Sequence, residues 1–188
     1  MKPQNIQSAV AVRILLTVLM VIGLLCSSLT PVWSEESKNS EYWVKAAFIY
    51  NIFKFVDEKE DHSSPDYLFC ILGEAPFISE FNSIKDKSID GKKIVIKQID
   101  DPRNANCRAV FITSSEQRQI AQITRQLKSF GVLTLSDTTG FGQKGVMINF
   151  YLDQNKVRFE INLGAAEEAG VKISSKLLNL STIVRTEP

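Results

Sequence analysis

The chain has 188 residues, with 22 Lys and Arg against 21 Asp and Glu, and a single histidine, His62. A nearly neutral charge without a basic block argues against a nucleic-acid-binding protein. Eleven phenylalanines among many aliphatic residues argue against a disordered chain. One histidine excludes a metal site built from several histidines and argues against a histidine-dependent catalytic triad.

The N-terminal segment predicts a secretory signal peptide. Lys2 and Arg13 precede an apolar run at residues 14–25, and Val32-Trp33-Ser34 supplies a cleavage motif. As a helix this run would span about 18 Å, short of the roughly 30 Å hydrocarbon core of a membrane. We therefore expect a cleaved signal peptide, a flexible polar tail and one folded domain, at residues 1–34, 35–41 and 42–184 respectively.

The three cysteines bear on the compartment. Cys26 ends the apolar run, but Leu25 before it is not the small residue that lipoprotein modification requires. Removal of Cys26 with the signal peptide leaves an even pair in an exported protein, which predicts a disulfide between Cys70 and Cys107. Two buried free thiols are the alternative.

The first predicted helix covers residues 40–56 and is apolar around nearly its whole circumference. Its only polar interruptions are Lys45, Asn51 and Lys54. A helix of this kind is covered on more than one side. Either another subunit or a partner provides the second cover, or the helix lies at the centre of the core of this domain.

The middle of the chain alternates apolar segments with helical patterns. Apolar segments bounded by turn residues predict strands at residues 67–72, 94–96, 109–113 and 132–135. Apolar residues at helical spacing predict helices at residues 76–84 and 114–130. Ser114 and Gln117 fit a capping box for the second helix. Strands alternating with helices predict a parallel sheet with helices on its faces.

The end of the chain adds antiparallel structure. Two apolar segments, residues 146–152 and 156–161, flank the turn at Asp153-Gln154-Asn155 and predict a hairpin. Short helices are expected at residues 165–169 and 175–180. The predicted fold class is α/β, a single domain with a mixed, mostly parallel sheet flanked by helices and a C-terminal β-hairpin.

The motifs that resemble chemical sites lack the context that each would need. Residues 140–145 match G-x-G-x-x-G, but a strand follows instead of a helix, which argues against a dinucleotide site and favours a flexible loop. The acidic residues and histidine at positions 57–62 suit a solvated loop better than a metal site. The adjacent pairs Asp100-Asp101 and Glu167-Glu168 point apart. We therefore expect no enzyme activity, catalytic residue, metal or cofactor.

Several segments together resemble the YfiR family of exported proteins. They are VKAAFIYNIFKFV at 44–56, FCILGEAPF at 69–77, CRAVFI at 107–112, VLTLSD at 132–137, GVMINF at 145–150 and RFEINLGAAEEAGVKISSKLL at 158–178. The resemblance covers about residues 42–180. Its specificity comes from the order and spacing of the segments.

The resemblance implies a periplasmic protein of Gram-negative bacteria that binds the periplasmic sensor part of an inner-membrane diguanylate cyclase. Binding represses the cyclase, which lowers cyclic di-GMP and limits biofilm formation. The resemblance also implies a homodimer with structural disulfides, in which Cys70 and Cys107 match one cystine. No cysteines remain for a second cystine that some members carry. Contact with the membrane is expected only through the partner, and no nucleic acid is expected.

For the partner surface we select Trp43, Tyr50, Glu160, Ile173 and Leu177. Residues 173–178 are either a lid over the core or an apolar docking surface. The competing function is a periplasmic small-molecule carrier or sensor, since α/β sheets offer ligand crevices at the carboxyl ends of their strands. A further hypothesis is that reduction of the disulfide releases the partner by destabilising the fold.

Overall fold

A computed structural model describes residues 34–57, 64–104 and 106–187. Residues 38–188 form one compact unit, and the other unit, residues 1–37, is described only from Ser34. The predicted signal peptide therefore lies outside the described residues, apart from Ser34, and stays a prediction. The predicted solvated loop at 57–62 lies outside them beyond Asp57.

The described residues form five α-helices and ten strands. The helices are α1 (Ser34–Phe53), α2 (Ile78–Phe81), α3 (Ile120–Ser129), α4 (Leu163–Ala169) and α5 (Ser175–Leu178). The strands are β1 (Val56–Asp57), β2 (Tyr67–Leu72), β3 (Ser88–Ile89), β4 (Lys92–Ile99), β5 (Ala109–Ile112), β6 (Leu133–Ser136), β7 (Ile148–Asp153), β8 (Lys156–Asn162), β9 (Lys172–Ile173) and β10 (Thr182–Val184).

Eight strands form one sheet in the order β10-β8-β7-β6-β5-β2-β4-β3. Strands β4, β2, β5, β6 and β7 are mutually parallel, and β7 and β8 form the antiparallel hairpin. The five parallel strands follow the flavodoxin-like doubly wound order, with its switch point between β2 and β5. The predicted mixed, mostly parallel sheet with flanking helices is confirmed.

The sheet has an apolar core on each face because successive side chains of a strand point to opposite sides. On β2, Phe69 and Ile71 face α1 and α2, while Cys70 and Leu72 face α3. All four side chains are fully buried. A central parallel strand covered on both faces explains why the segment is an unbroken apolar run.

Two predicted boundaries differ from the structure. Residues 35–41, expected to be a flexible tail, belong to α1, which begins at Ser34. Once a helix has nucleated, each added residue extends it at little cost. The helix expected at residues 114–130 begins only at Ile120 without a side-chain cap, because Ser114–Glu116 form a 3-10 turn. The predicted capping box at Ser114 and Gln117 does not form.

A disulfide joins Cys70 of β2 to Cys107, which precedes β5, and both residues are buried on the α3 side. The connection from β4 to β5 contains a short 3-10 turn, Pro102–Asn104, and none of its described residues form an α-helix. The disulfide therefore ties this connection directly to the centre of the sheet.

The double variant Cys70→Ala/Cys107→Ala should be less stable to unfolding. The bond closes a loop with a sequence separation of 37, for which chain entropy alone gives about 4 kcal/mol. Urea unfolding of the oxidised protein and of the variant measures the difference. Equal free energies of unfolding, together with equal melting temperatures with and without reductant, would exclude both this contribution and release by reduction.

Candidate functional site

Helix α1 has one face in the core and one face in solvent. Ala46, Ile49, Ile52 and Phe53 are at most 2% exposed and pack on the sheet. On the other side, Trp43 is 54% exposed and Val44 is 42% exposed. The described part of the chain covers only one side of the helix. This argues against a central core helix and favours cover of the other side by another subunit or a partner.

The exposed side chains form one continuous surface. Trp43, Ala47 and Asn51 are four residues apart, so they lie above one another on the helix, and Val44 lies beside them. We call these four residues the α1 outer face. Trp43, Val44 and Ala47 give this surface three exposed apolar side chains, and grouped exposed apolar side chains mark an interaction site more often than an isolated one does.

A buried ion pair fixes α1 on the sheet. Lys45 is 3% exposed, and its Nζ lies 2.6 Å from Oδ2 of Asp137, the residue that follows β6. The same Nζ also pairs with Glu41, one helical turn earlier. Because an unpaired charge at this depth would be costly, Lys45 holds the N-terminal half of α1 over the carboxyl end of β6.

Tyr42 adds an aromatic and a polar contact at the same place. Its ring stacks on Phe77 with the centroids 3.9 Å apart and the planes within 4°, and Nζ of Lys45 lies 4.3 Å from the Tyr42 centroid. Burial raises the pKa of the Tyr42 phenol well above its ordinary value of 10, and the nearby negative charge of Asp137 raises that pKa further. The phenol therefore stays protonated and donates its hydrogen bond to Asp137.

The five residues selected for the partner surface do not lie together. Trp43 is on the α1 outer face, and Tyr50 is half-buried with Nζ of Lys54 3.9 Å from its ring centroid. Ile173 is half-buried in β9, which pairs with β1 directly after α1. Tyr50 and Ile173 therefore lie toward the C-terminal end of α1, at the margin of the exposed surface.

Glu160 and Leu177 lie elsewhere. Phe159, next to Glu160 in β8, contacts Phe48 of α1 at a centroid distance of 6.0 Å, so strand alternation places Glu160 on the opposite face of the sheet. Leu177 is 4% exposed and belongs to the core. The structure thus places these two selected residues away from the α1 outer face, and the burial of Leu177 favours the lid over the docking surface.

Sequence analysis missed the residues that position the site. In the sequence, Lys45 is a polar interruption of an apolar helix, and Asp137 stands out only as the last residue of the family-like segment at residues 132–137. The spacing of Glu41 and Lys45 gave a local signal, since residues four apart on a helix can form an ion pair. No pattern in the sequence distinguishes the exposed Val44 from the buried apolar residues of the same helix.

The described residues contain no group of His, Cys, Asp and Glu side chains arranged to hold a metal ion. Within the same residues, no helix has the length and apolar character that a membrane span requires.

The fold and the site define a class: a doubly wound α/β domain whose first helix is anchored by a buried ion pair and presents an apolar face to solvent. The chain belongs to the YfiR/HmsC-like family, whose model matches residues 42–182. The resemblance found from the sequence segments is thereby confirmed. This family is regulatory rather than catalytic, and it is periplasmic.

Among solved structures, the chain is similar to a conserved domain protein from Vibrio cholerae O1 biovar El Tor strain N16961. The TM-score is 0.50 and the sequence identity is 13%, with 76% of this chain and 59% of that chain covered. At this identity the likeness shows the fold alone. No curated protein matches the chain.

Replacement of Lys45 by Met should lower the free energy of unfolding by about 3 kcal/mol, because Asp137 would stay buried without its cation. The double variant Lys45→Met/Asp137→Asn should regain part of this loss. Urea unfolding measures both. The control is Lys128→Met, which breaks the exposed Lys128–Glu168 pair and should cost less than about 1 kcal/mol. Equal losses for Lys45→Met and Lys128→Met would contradict the anchoring role.

Stability should fall as the pH rises above about 10, the ordinary pKa of a tyrosine. The unfolded chain loses the Tyr42 proton there, whereas the folded protein, with its raised pKa, keeps it. The unfolded state then binds fewer protons, and the folded state loses stability relative to it. Unfolding free energies at about pH 9 and 11 should therefore differ less in Tyr42→Phe than in the wild type. The exposed Tyr151→Phe serves as the control, and a slope unchanged in Tyr42→Phe would contradict this explanation.

Proposed function

We propose that this chain represses an inner-membrane diguanylate cyclase by binding the periplasmic sensor part of that enzyme. Repression lowers cyclic di-GMP and biofilm formation. Membership of a regulatory, periplasmic family supports the proposal. The single observation that carries its molecular part is the exposed Trp43 on an anchored helix.

Trp43 has the properties of a binding anchor. Aromatic side chains bury about 150–250 Å² each and dominate interface energetics, and Trp is enriched among the residues that carry most of the binding energy. Here more than half of the side chain is in solvent, with Val44 exposed beside it. The proposed contact surface is the α1 outer face, with Tyr50 and Ile173 at its margin and without Glu160 and Leu177.

Anchoring of α1 favours tight binding. The Lys45–Asp137 pair and the Tyr42–Phe77 stack hold the helix in place before a partner arrives. Less conformational freedom is then lost on association, which leaves more of the contact energy as affinity. The surface is therefore suited to bind a preformed site on the sensor.

Repression follows by a shift in populations. A protein that binds the inactive state of a sensor more tightly than the active state moves the equilibrium toward the inactive state, and its release reverses the shift. To move a sensor from about 1% to 99% inactive, the two affinities must differ by roughly 10⁴-fold. An interface with a central Trp can supply a preference of this size if the active sensor does not accept the ring.

Export and assembly are part of the proposal. We propose that residues 1–34 are cleaved as a signal peptide and that the mature protein forms a homodimer. The buried Cys70–Cys107 disulfide supports export, because disulfides persist in oxidising compartments such as the bacterial periplasm.

The test is repression in cells that lack the native gene, whose loss should raise cyclic di-GMP. Wild type should restore the low level, whereas Trp43→Ala should not, with affinity for the purified sensor part weakened at least about 10-fold. The control is Phe130→Ala, since Phe130 is 59% exposed at the end of α3, on the other face of the sheet. Repression by Trp43→Ala equal to that by wild type, at equal protein levels, would exclude the α1 outer face. An unchanged cyclic di-GMP level after gene loss would exclude the repressor function itself.

A further inference from the structure

A groove of about 600 Å³ lies beside α3, the helix that packs on the sheet face opposite α1. Its walls are α3, the turn at residues 142–145 and α4, and residues 186–187 close one end. We call it the α3 groove. Its volume is within the range of about 300–1,000 Å³ that is usual for small-molecule sites. The repressor function makes no use of it.

Close packing of the turn against α3 sets the position of one wall. The Thr124 hydroxyl lies 3.1 Å from the carbonyl oxygen of Lys144. Gly145 has a φ of +94°, and a Cβ there would lie 3.2 Å from the same hydroxyl, so the position requires glycine. Lys144 and Arg125, which follows Thr124 in α3, both line the groove. The glycine-rich segment predicted to be a flexible loop is thus a packed turn.

One buried side chain joins the other walls. Asn162 is 1% exposed, and its Nδ2 donates to the carbonyl oxygen of Gly142 and to Oγ1 of Thr186, both at 2.8 Å. Its Oδ1 accepts from the backbone N–H of Ala165 at the start of α4, at 3.0 Å. The turn, the C-terminal segment and α4 are therefore held together before any ligand binds.

The groove carries two cations without carboxylate partners. Lys128 is paired with Glu168 at 2.5 Å, but neither Arg125 nor Lys144 forms an ion pair with any carboxylate in the described part of the chain. Arg125 uses its Nε to donate to the carbonyl oxygen of Ala121, 3.0 Å away, which fixes the plane of the guanidinium. The Nη edge of Arg125 and the ammonium group of Lys144 together supply two positive charges to the groove, which suit a doubly charged anion. Phosphate is such an anion, and its oxygens fit the donor fork of a guanidinium.

A third feature selects among anions. Gln143 lines the same groove, and its Oε1 is buried and accepts no hydrogen bond. A buried acceptor without a donor is costly, and a hydroxyl group on the ligand would supply that donor. We propose that the α3 groove binds a phosphate monoester that also carries a hydroxyl group, with Arg125 and Lys144 on the phosphate and Gln143 on the hydroxyl.

The test measures binding of glycerol 3-phosphate and of inorganic phosphate by titration calorimetry, and of vesicles that contain lysophosphatidic acid, a lipid with a phosphate monoester and a free hydroxyl group, in phosphatidylcholine. Arg125→Gln and Lys144→Gln should each weaken binding at least about 10-fold, the usual effect of losing a charge-assisted contact. Gln143→Leu should weaken glycerol 3-phosphate but leave inorganic phosphate unchanged. Arg118→Gln is the charge-matched control, because Arg118 is exposed and lies outside the groove.

Each outcome decides the proposal. Binding of glycerol 3-phosphate with this pattern of variants supports a soluble ligand. Binding of the lysophosphatidic acid vesicles alone, with the same dependence on Arg125, Lys144 and Gln143, supports a lipid source of the same group. Absence of saturable binding to all three probes overturns the proposal. The proposal is also overturned if Arg118→Gln weakens binding as much as Arg125→Gln does. The probes would then be attracted by the positive charge of the protein surface in general and not by the α3 groove.

Discussion

The buried ion pair between Lys45 and Asp137 determines how the rest of the proposed interaction surface is arranged. Helix α1 is apolar on nearly every side, so hydrophobic burial alone does not select which side faces the sheet. A buried ammonium group does select, because it must reach a carboxylate. Asp137 lies at the carboxyl end of β6, and only one rotation of the helix brings Lys45 to it. That rotation leaves Trp43 and Val44 in solvent.

The sheet could be predicted from sequence because its signals are local. An apolar run such as residues 67–72 has strand length, and the pattern of α3 has helical period, so the α/β class follows from segments read one at a time. The exposed side of α1 could not be predicted in this way. Periodicity carries little information here because Trp43 and Val44 on the outer face are as apolar as the core residues, and the sequence separation between Lys45 and Asp137 is 92 residues. The short strands β1, β9 and β10 likewise exist only through pairing with distant segments.

The resemblance to the family identified the C-terminal segment, but it could not predict which face of the sheet each of its side chains points to. Orientation in a strand depends on register, and the pairing of β7 with β8 places Phe150 opposite Phe159 on the α1 side. Glu160 then points the other way, where its Oε1 accepts a hydrogen bond from Asn149 at 3.0 Å. A resemblance in sequence segments therefore finds the domain, whereas the choice of surface residues needs the pairing of strands.

The α1 outer face and the α3 groove have no residue in common, so occupation of one leaves the residues of the other accessible. One segment of the chain nevertheless contributes to the positioning of both surfaces. The chain from Asp137 to Gly145 leaves β6 at the residue that anchors α1 and ends at the turn that contributes Lys144 to the α3 groove. The N–H of Thr138 donates to Oγ of Ser136, and the N–H of Val146 donates to the carbonyl oxygen of Phe141. These hydrogen bonds constrain the connection at both ends, so the anchor of α1 and the wall of the α3 groove are positioned by one ordered segment of the chain.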